Sequence, residues 1–222
     1  MKRIVRLAVR VLVSLALSQL TPFAHAQDLQ SDLSTLVREF DAAQYGTAPN
    51  ETKAQALEAV RKHAVQLQKQ YPNRAEPLCW HGWALMSKSV VVQDMSSLDM
   101  TQQALSLLEA AVALDPAVYN GVPYASLGDL NVLGSLFPFP IRYGGKEKGR
   151  TLYRKALEMN PSSLSTNLRY ANFLFNEKDF VGALKHATAA SKAPPLTGRE
   201  AADKSLRVQA ERLIDQASAK LR

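Results

Sequence analysis

A small residue, an alanine seven positions on and a proline five positions beyond that recur together three times in this 222-residue chain. The sets are Ala104, Ala111 and Pro116; Gly149, Ala156 and Pro161; and Ala183, Ala190 and Pro195, with a looser copy, Val60, Leu67 and Pro72, upstream. Two small side chains seven apart lie on one face of a helix, where a partner helix can approach closely. The proline then stops the helix, because it lacks the amide donor and disfavours helix in the residue before it. Repetition of both spacings and the stop constrains the chain to stacked helical hairpins, each burying its apolar face on the next.

The first helix of each hairpin carries its own small residue, Gly82, Gly128 or Ala171, and no run of alternating β-branched residues is long enough for a sheet. Pro161 and Pro195 stand 34 residues apart, the period of the tetratricopeptide repeat. The expectation is an all-α, tetratricopeptide-like helical-hairpin solenoid with a C-terminal capping helix. Leu33, Leu36, Val37 and Phe40 form one apolar stripe and Ala56, Leu57, Val60, Ala64 and Leu67 a second, separated by the breaker Tyr45-Gly46-Thr47-Ala48-Pro49-Asn50. This irregular pair reads as the N-terminal capping hairpin. At the other end Leu206, Ala210, Leu213, Ile214, Ala217 and Leu221 share one face of a basic amphipathic helix. Such a helix suits a membrane surface, but an array also needs one to cover its last open face.

Residues 1–26 carry Lys2, Arg3, Arg6 and Arg10, a short apolar stretch, and Ala24-His25-Ala26. This is the pattern of a secretory signal peptide with a small-x-small cleavage site, leaving residues 27–222 as one repeat domain. The apolar stretch is far short of the roughly 20 residues a membrane span needs, and the sole cysteine, Cys79, lies far from the cleavage site, so no stable membrane anchor is expected. A periplasmic or secreted product is expected. Removing the signal takes away four of the 27 Lys and Arg and none of the 20 Asp and Glu, so the net charge falls from +7 to +3. Interspersed charge of that size does not suit nucleic acid. Cys79, beside Trp80, reads as a buried small hydrophobe.

The repeat is interrupted in two places. The small residues of the last hairpin, Ala171 and Ala183, are 12 apart, whereas Gly82 to Ala104 spans 22 and Gly128 to Gly149 spans 21. Two adjacent hairpins therefore carry insertions at equivalent positions, which should be neighbours in space. The first, within 87–100, can simply lengthen two helices. The second, within 132–145, holds Phe137, Pro138, Phe139, Pro140, Arg142 and Tyr143. Exposing those rings costs about 25 cal/mol per Å² of apolar surface, so the segment either plugs a gap in the solenoid or forms a ligand wall. The second candidate surface is the concave face. Trp83, Asp129 and Asn172 follow the crossing-point residues and should point into it, with Met86, Val132 and Phe175 one turn on. The candidate ligand- or partner-binding residues are thus Trp83, Asp129, Phe137, Phe139, Arg142, Tyr143 and Asn172.

From Ala104 to about Arg199 the chain resembles the T-component proteins associated with TRAP transporters. The resemblance is carried by Ala125-Ser126-Leu127-Gly128, the aromatic-proline insertion, Tyr143-Gly144-Gly145-Lys146-Glu147-Lys148-Gly149, Ala156-Leu157-Glu158-Met159-Asn160-Pro161 and Tyr170-Ala171-Asn172-Phe173-Leu174. It implies a periplasmic all-helical protein that associates with a solute-binding protein and passes a ligand through a pore or cleft. Some such proteins are lipid-anchored, and this chain lacks the anchoring cysteine.

Catalytic patterns are missing. His63, His81 and His186 fall on different hairpins without a His-Glu-x-x-His or Cys-x-x-Cys arrangement, so neither a metal site nor a cofactor is expected. Gly144-Gly145-Lys146 is followed by Glu147 where a phosphate loop needs Ser or Thr. Two non-catalytic readings remain. One is an envelope scaffold that holds a protein or peptide partner in the concave face. The other is a transport-associated component that binds a small apolar ligand beside the insertions. Either can act as an oligomer. An open polar groove favours the first; an enclosed apolar cavity near the insertions favours the second.

Overall fold

The computed structural model describes residues 28–134 and 144–222. Among them the chain forms nine α-helices: α1 over 28–45, α2 (Asn50–Gln70), α3 (Ala75–Val92), α4 (Ser96–Leu114), α5 (Val122–Gly134), α6 (Gly145–Met159), α7 (Leu164–Asn176), α8 (Phe180–Ser191) and α9 (Glu200–Lys220). One short 3-10 turn, Val118–Gly121, precedes α5. Helix packs on successive helix, α3 with α4, α5 with α6 and α7 with α8 as hairpins, and α9 closes over α8 and α7. This is an all-α helical-hairpin solenoid, and no described helix is long and apolar enough to cross a membrane.

The ladder residues do what their spacing demands. Ala104, Ala111, Ala156, Ala183 and Ala190 are fully buried. A Cβ on Gly82 would lie 3.0 Å from Leu108, and one on Gly149 would lie 2.5 Å from Val132 and 3.1 Å from the carbonyl oxygen of Gly128. The α5/α6 crossing therefore joins two glycines that the repeat pattern paired. Leu108, wholly buried against Gly82, contributes on the order of 1.5–3 kcal/mol.

The stops and starts are local. Ser163 caps α7 by accepting the amide of Thr166, and Asp179 caps α8 by accepting that of Gly182 at 2.8 Å. The expected N-terminal hairpin is α1 with α2, whose stripes share one core with Trp80 and Ala84. The first insertion lengthens α3 and α4, which turn at Gln93 in a left-handed conformation. Ala202, Ala210, Leu213 and Ala217 are the buried face of α9, with Leu206 and Ile214 packed beside it. Leu221, placed on that face by periodicity, lies past the end of the helix and is 47% exposed. Cys79 is fully buried, and burial pushes its thiol well above the ordinary range, so it is an inert core residue.

Candidate functional site

The first helices line a groove with two joined chambers. The inner, of about 410 Å³, is walled by Phe40, Trp80, Trp83 and Tyr119, with Leu164, Pro195 and Leu206 opposite. The outer, of about 550 Å³, is lined by Val90, Asp129, Val132, Leu133, Tyr153, Phe173 and Asn172. Tyr45, Gln44, Met86, Ser87, Ser165, Arg169 and Leu206 belong to both and mark the neck between them. Val90 from the first insertion and Leu133 at the start of the second both line the outer chamber. A hollow between α1 and α2, about 800 Å³, is lined by five alanines and Val60 with Glu39, Thr52, Lys53, Lys62, His63 and Gln66, and the His63 Nδ1 lies 2.7 Å from Glu39.

The inner chamber is an aromatic box. Trp80 meets Phe40, Trp83 and Tyr119 edge-on, with ring centroids 5.3, 4.9 and 6.1 Å apart. The Trp80 indole donates to the Tyr119 hydroxyl at 2.7 Å, and the Trp83 indole donates to Ser126 Oγ at 3.0 Å. Both indole donors are therefore spent on the frame; Trp80 and Phe40 are buried in the core, and the half-buried Trp83 and Tyr119 offer their faces and edges to the chamber. Tyr119 reaches this position through backbone strain. Tyr119, Asn120 and Gly121 are successive left-handed residues, at φ 49°, 49° and 81°. The two non-glycine positions cost on the order of 1–3 kcal/mol each, strain of a kind that gathers at binding sites. The tight turn also needs a glycine, since a Cβ on Gly121 would lie 2.7 Å from the sulfur of Met159.

Polar groups enter from three sides. In the outer chamber Tyr153 donates to Asp129 Oδ1 at 2.6 Å, and Arg169 donates to the other oxygen of Asp129. Gly128 permits this arrangement, because the Tyr153 ring lies only 2.9 Å from where a Cβ would stand. Burial and the Asp129 charge push the Tyr153 phenol far above its usual range, so it stays a donor. Burial works against the Arg169 charge, but Asp129 outweighs it and the guanidinium is held more firmly protonated than usual. In the inner chamber Arg199, from the loop before α9, donates from Nε and Nη2 to the two oxygens of Asp41 on α1, at 2.9 and 2.6 Å. Its guanidinium also lies 5.5 Å from the Trp80 ring centre. This pair ties the first described helix to the last, so the array curls until its ends meet.

The concave-face residues lie where the crossing-point argument puts them: Trp83 in the inner chamber, Asp129 and Asn172 in the outer. Met86 and Val132 line the groove too. Phe175 does not, and this corrects the expectation: it packs against Phe180, 5.3 Å between ring centres, and into the core. The short α7 turns back immediately after it, whereas the lengthened α3 and α5 keep their equivalent residues on the groove. Phe137, Phe139, Arg142 and Tyr143 lie outside the described residues.

Arg169, Arg199, Tyr45 and Tyr119 were not among the sequence candidates. Arg169 stands three residues before Asn172 and so shares its helix face, a signal that was available. Arg199 and Asp41 are 158 residues apart and offered no local signal. No group of three or more His, Cys, Asp or Glu among the described residues is arranged to hold a metal ion. Comparison of the chain with protein-family models and with curated proteins finds no match to either.

Proposed function

We propose that this chain is a non-catalytic ligand-binding protein of the cell envelope whose concave groove holds a small organic molecule. The observation that carries this reading is the Arg199–Asp41 pair beside the aromatic box. An extended peptide lying along a solenoid needs a trough open from end to end, and here the two ends are bridged. The chamber volumes, about 410 and 550 Å³, fall within the range of small-ligand pockets, and the lining mixes aromatic walls with a few placed polar groups. Val90 and Leu133, described residues of the two insertions, line the outer chamber, which supports the reading of a transport-associated component. The N-terminal signal pattern supports an exported chain, and the motifs from Ala104 to about Arg199 support a role like that of the TRAP-associated T-components.

The scaffold reading retains one supporting observation, the polar side chains of Gln44 and Ser87 at the neck, which have no hydrogen-bond partner among the described residues. Native mass spectrometry of the mature protein purified from envelope extract separates the two. A bound species of small-molecule mass supports the ligand carrier; a stoichiometric polypeptide without such an adduct supports the scaffold.

A further inference from the structure

We propose that Tyr45, Arg169 and Arg199 form an anion receptor at the neck and inner chamber of the groove, and that its ligand is a small aromatic carboxylic acid. The proposal rests on the groove being a small-molecule site and names the chemistry it selects.

Charge on the walls is one-sided. The inner chamber has two guanidiniums on its lining and no Asp, Glu or Lys. Asp41, which orients Arg199, sits behind the wall with a side chain only 10% exposed. Asp129, which orients Arg169, faces the outer chamber. An acid in the inner chamber thus meets cationic donors whose partner carboxylates lie off the wall, whereas an amine finds no carboxylate on that wall.

Donors remain unspent. A guanidinium has five N–H groups. Asp41 takes those of Nε and Nη2 of Arg199, leaving Nη1, and Asp129 takes only Nη1 of Arg169. The Tyr45 hydroxyl has no hydrogen-bond partner among the described residues, although the ring is half-buried and lines both chambers. Tyr45 lines the inner chamber with Arg199 and Arg169; burial raises its phenol, the two cations oppose this and Asp41 adds to it, so it is a proton donor at neutral pH. Two arginines held by two aspartates and one phenol line the same chamber, and their remaining N–H and O–H donors suit the planar acceptor pattern of a carboxylate.

The rest of the ligand is read from the box. With its indole N–H spent on Ser126, the half-buried Trp83 presents π surface and no further donor, and Trp80 lies buried behind it. The half-buried rings at the chamber surface are Trp83 and Tyr119, with centroids 5.4 Å apart, and a ligand ring packs against these.

The test uses three probes on one skeleton, 3-phenylpropionate, 3-phenylpropanamide and 3-phenylpropylamine, measured by calorimetry on the mature protein. The acid is expected to bind at least about tenfold more tightly than the amide, because only the acid gains charge-assisted bonds, and the amine is expected not to bind. Tyr45→Phe, which keeps the ring, should weaken the acid about fivefold and the amide less, and Arg169→Gln should weaken the acid further. Equal affinity for acid and amide, preference for the amine, or unchanged acid binding in both folded variants overturns the proposal. Binding of no probe at 1 mM also overturns it, while the broader reading of the groove is judged separately by the adduct in native mass spectrometry.

Discussion

Arg199 reaches across the groove to Asp41, donating from Nε at 2.9 Å and from Nη2 at 2.6 Å, and so joins the loop before α9 to α1. The Asp41 side chain is 10% exposed and that of Arg199 30%. Such a pair is screened less than a surface one, and removing one partner strands the other charge. Asp41→Asn is expected to lower stability by about 2 kcal/mol. Arg199→Gln should cost much less in that background than in the wild type. Urea titration of the four-member cycle measures the coupling, and additive costs would mean that the bridge contributes nothing to closure.

The Gly128 position tests how the fold builds the outer chamber. A methyl at Gly128 would stand 2.9 Å from the Tyr153 ring, which must shift and carry its hydroxyl away from Asp129. Gly128→Ala should therefore destabilise the protein by about 1–3 kcal/mol despite the better helix propensity of alanine. Thermal unfolding checks the cost. Unchanged stability would show that the α5/α6 crossing tolerates a side chain.

Ala183→Leu and Ala190→Leu apply the same argument to the last hairpin, where both alanines are fully buried. Each is expected to cost on the order of 1–3 kcal/mol by overpacking. If neither variant loses stability, those two positions do not face a partner helix.

The repeat was legible because its signal is local. Small residues seven apart, a proline stop and an apolar stripe are set by helix periodicity, and the buried alanines and the Gly128/Gly149 contact follow from it. Trp83, Asp129 and Asn172 could be placed for the same reason. Closure of the groove was not legible, since the curvature that brings Arg199 to Asp41 accumulates over every hairpin between them. The box was half legible: Trp83 was placed by its register, but Tyr119 enters through a left-handed backbone conformation that tyrosine ordinarily avoids. Phe175 was misplaced because register alone does not say where a helix ends.

His81 supplies a pH dependence. Its Nδ1 lies 3.1 Å from Gln68 Nε2, and its Nε2 is buried without a partner among the described residues. Burial first, then the Arg61 charge, hold the imidazole down at about 4, with Glu58 opposing, against an ordinary value of 6.5. The unfolded chain therefore takes up a proton below about 6.5 that the fold refuses until about 4. Stability should fall as pH drops through that window and level off beneath it. The Glu58 carboxylate, held near 2 by Arg61 and by Lys88, contributes a separate loss at lower pH, between 4.5 and about 2. Denaturant midpoints measured from pH 7 to 4 should slope in the wild type and be flatter in His81→Gln. Equal slopes would assign the effect to other groups.

The central claim, that the aromatic box holds a small organic ligand, is tested most directly by the two tryptophans of the chain, both of which line the inner chamber. Protein stripped of bound molecules and refolded is titrated with the small-molecule fraction released from it, and its tryptophan emission is followed. The account predicts a shift that saturates at one ligand per chain and is lost in Trp83→Ala and Arg169→Gln while helical content is kept. Emission that the released fraction leaves unmoved, or a response that only a polypeptide partner produces, would contradict it.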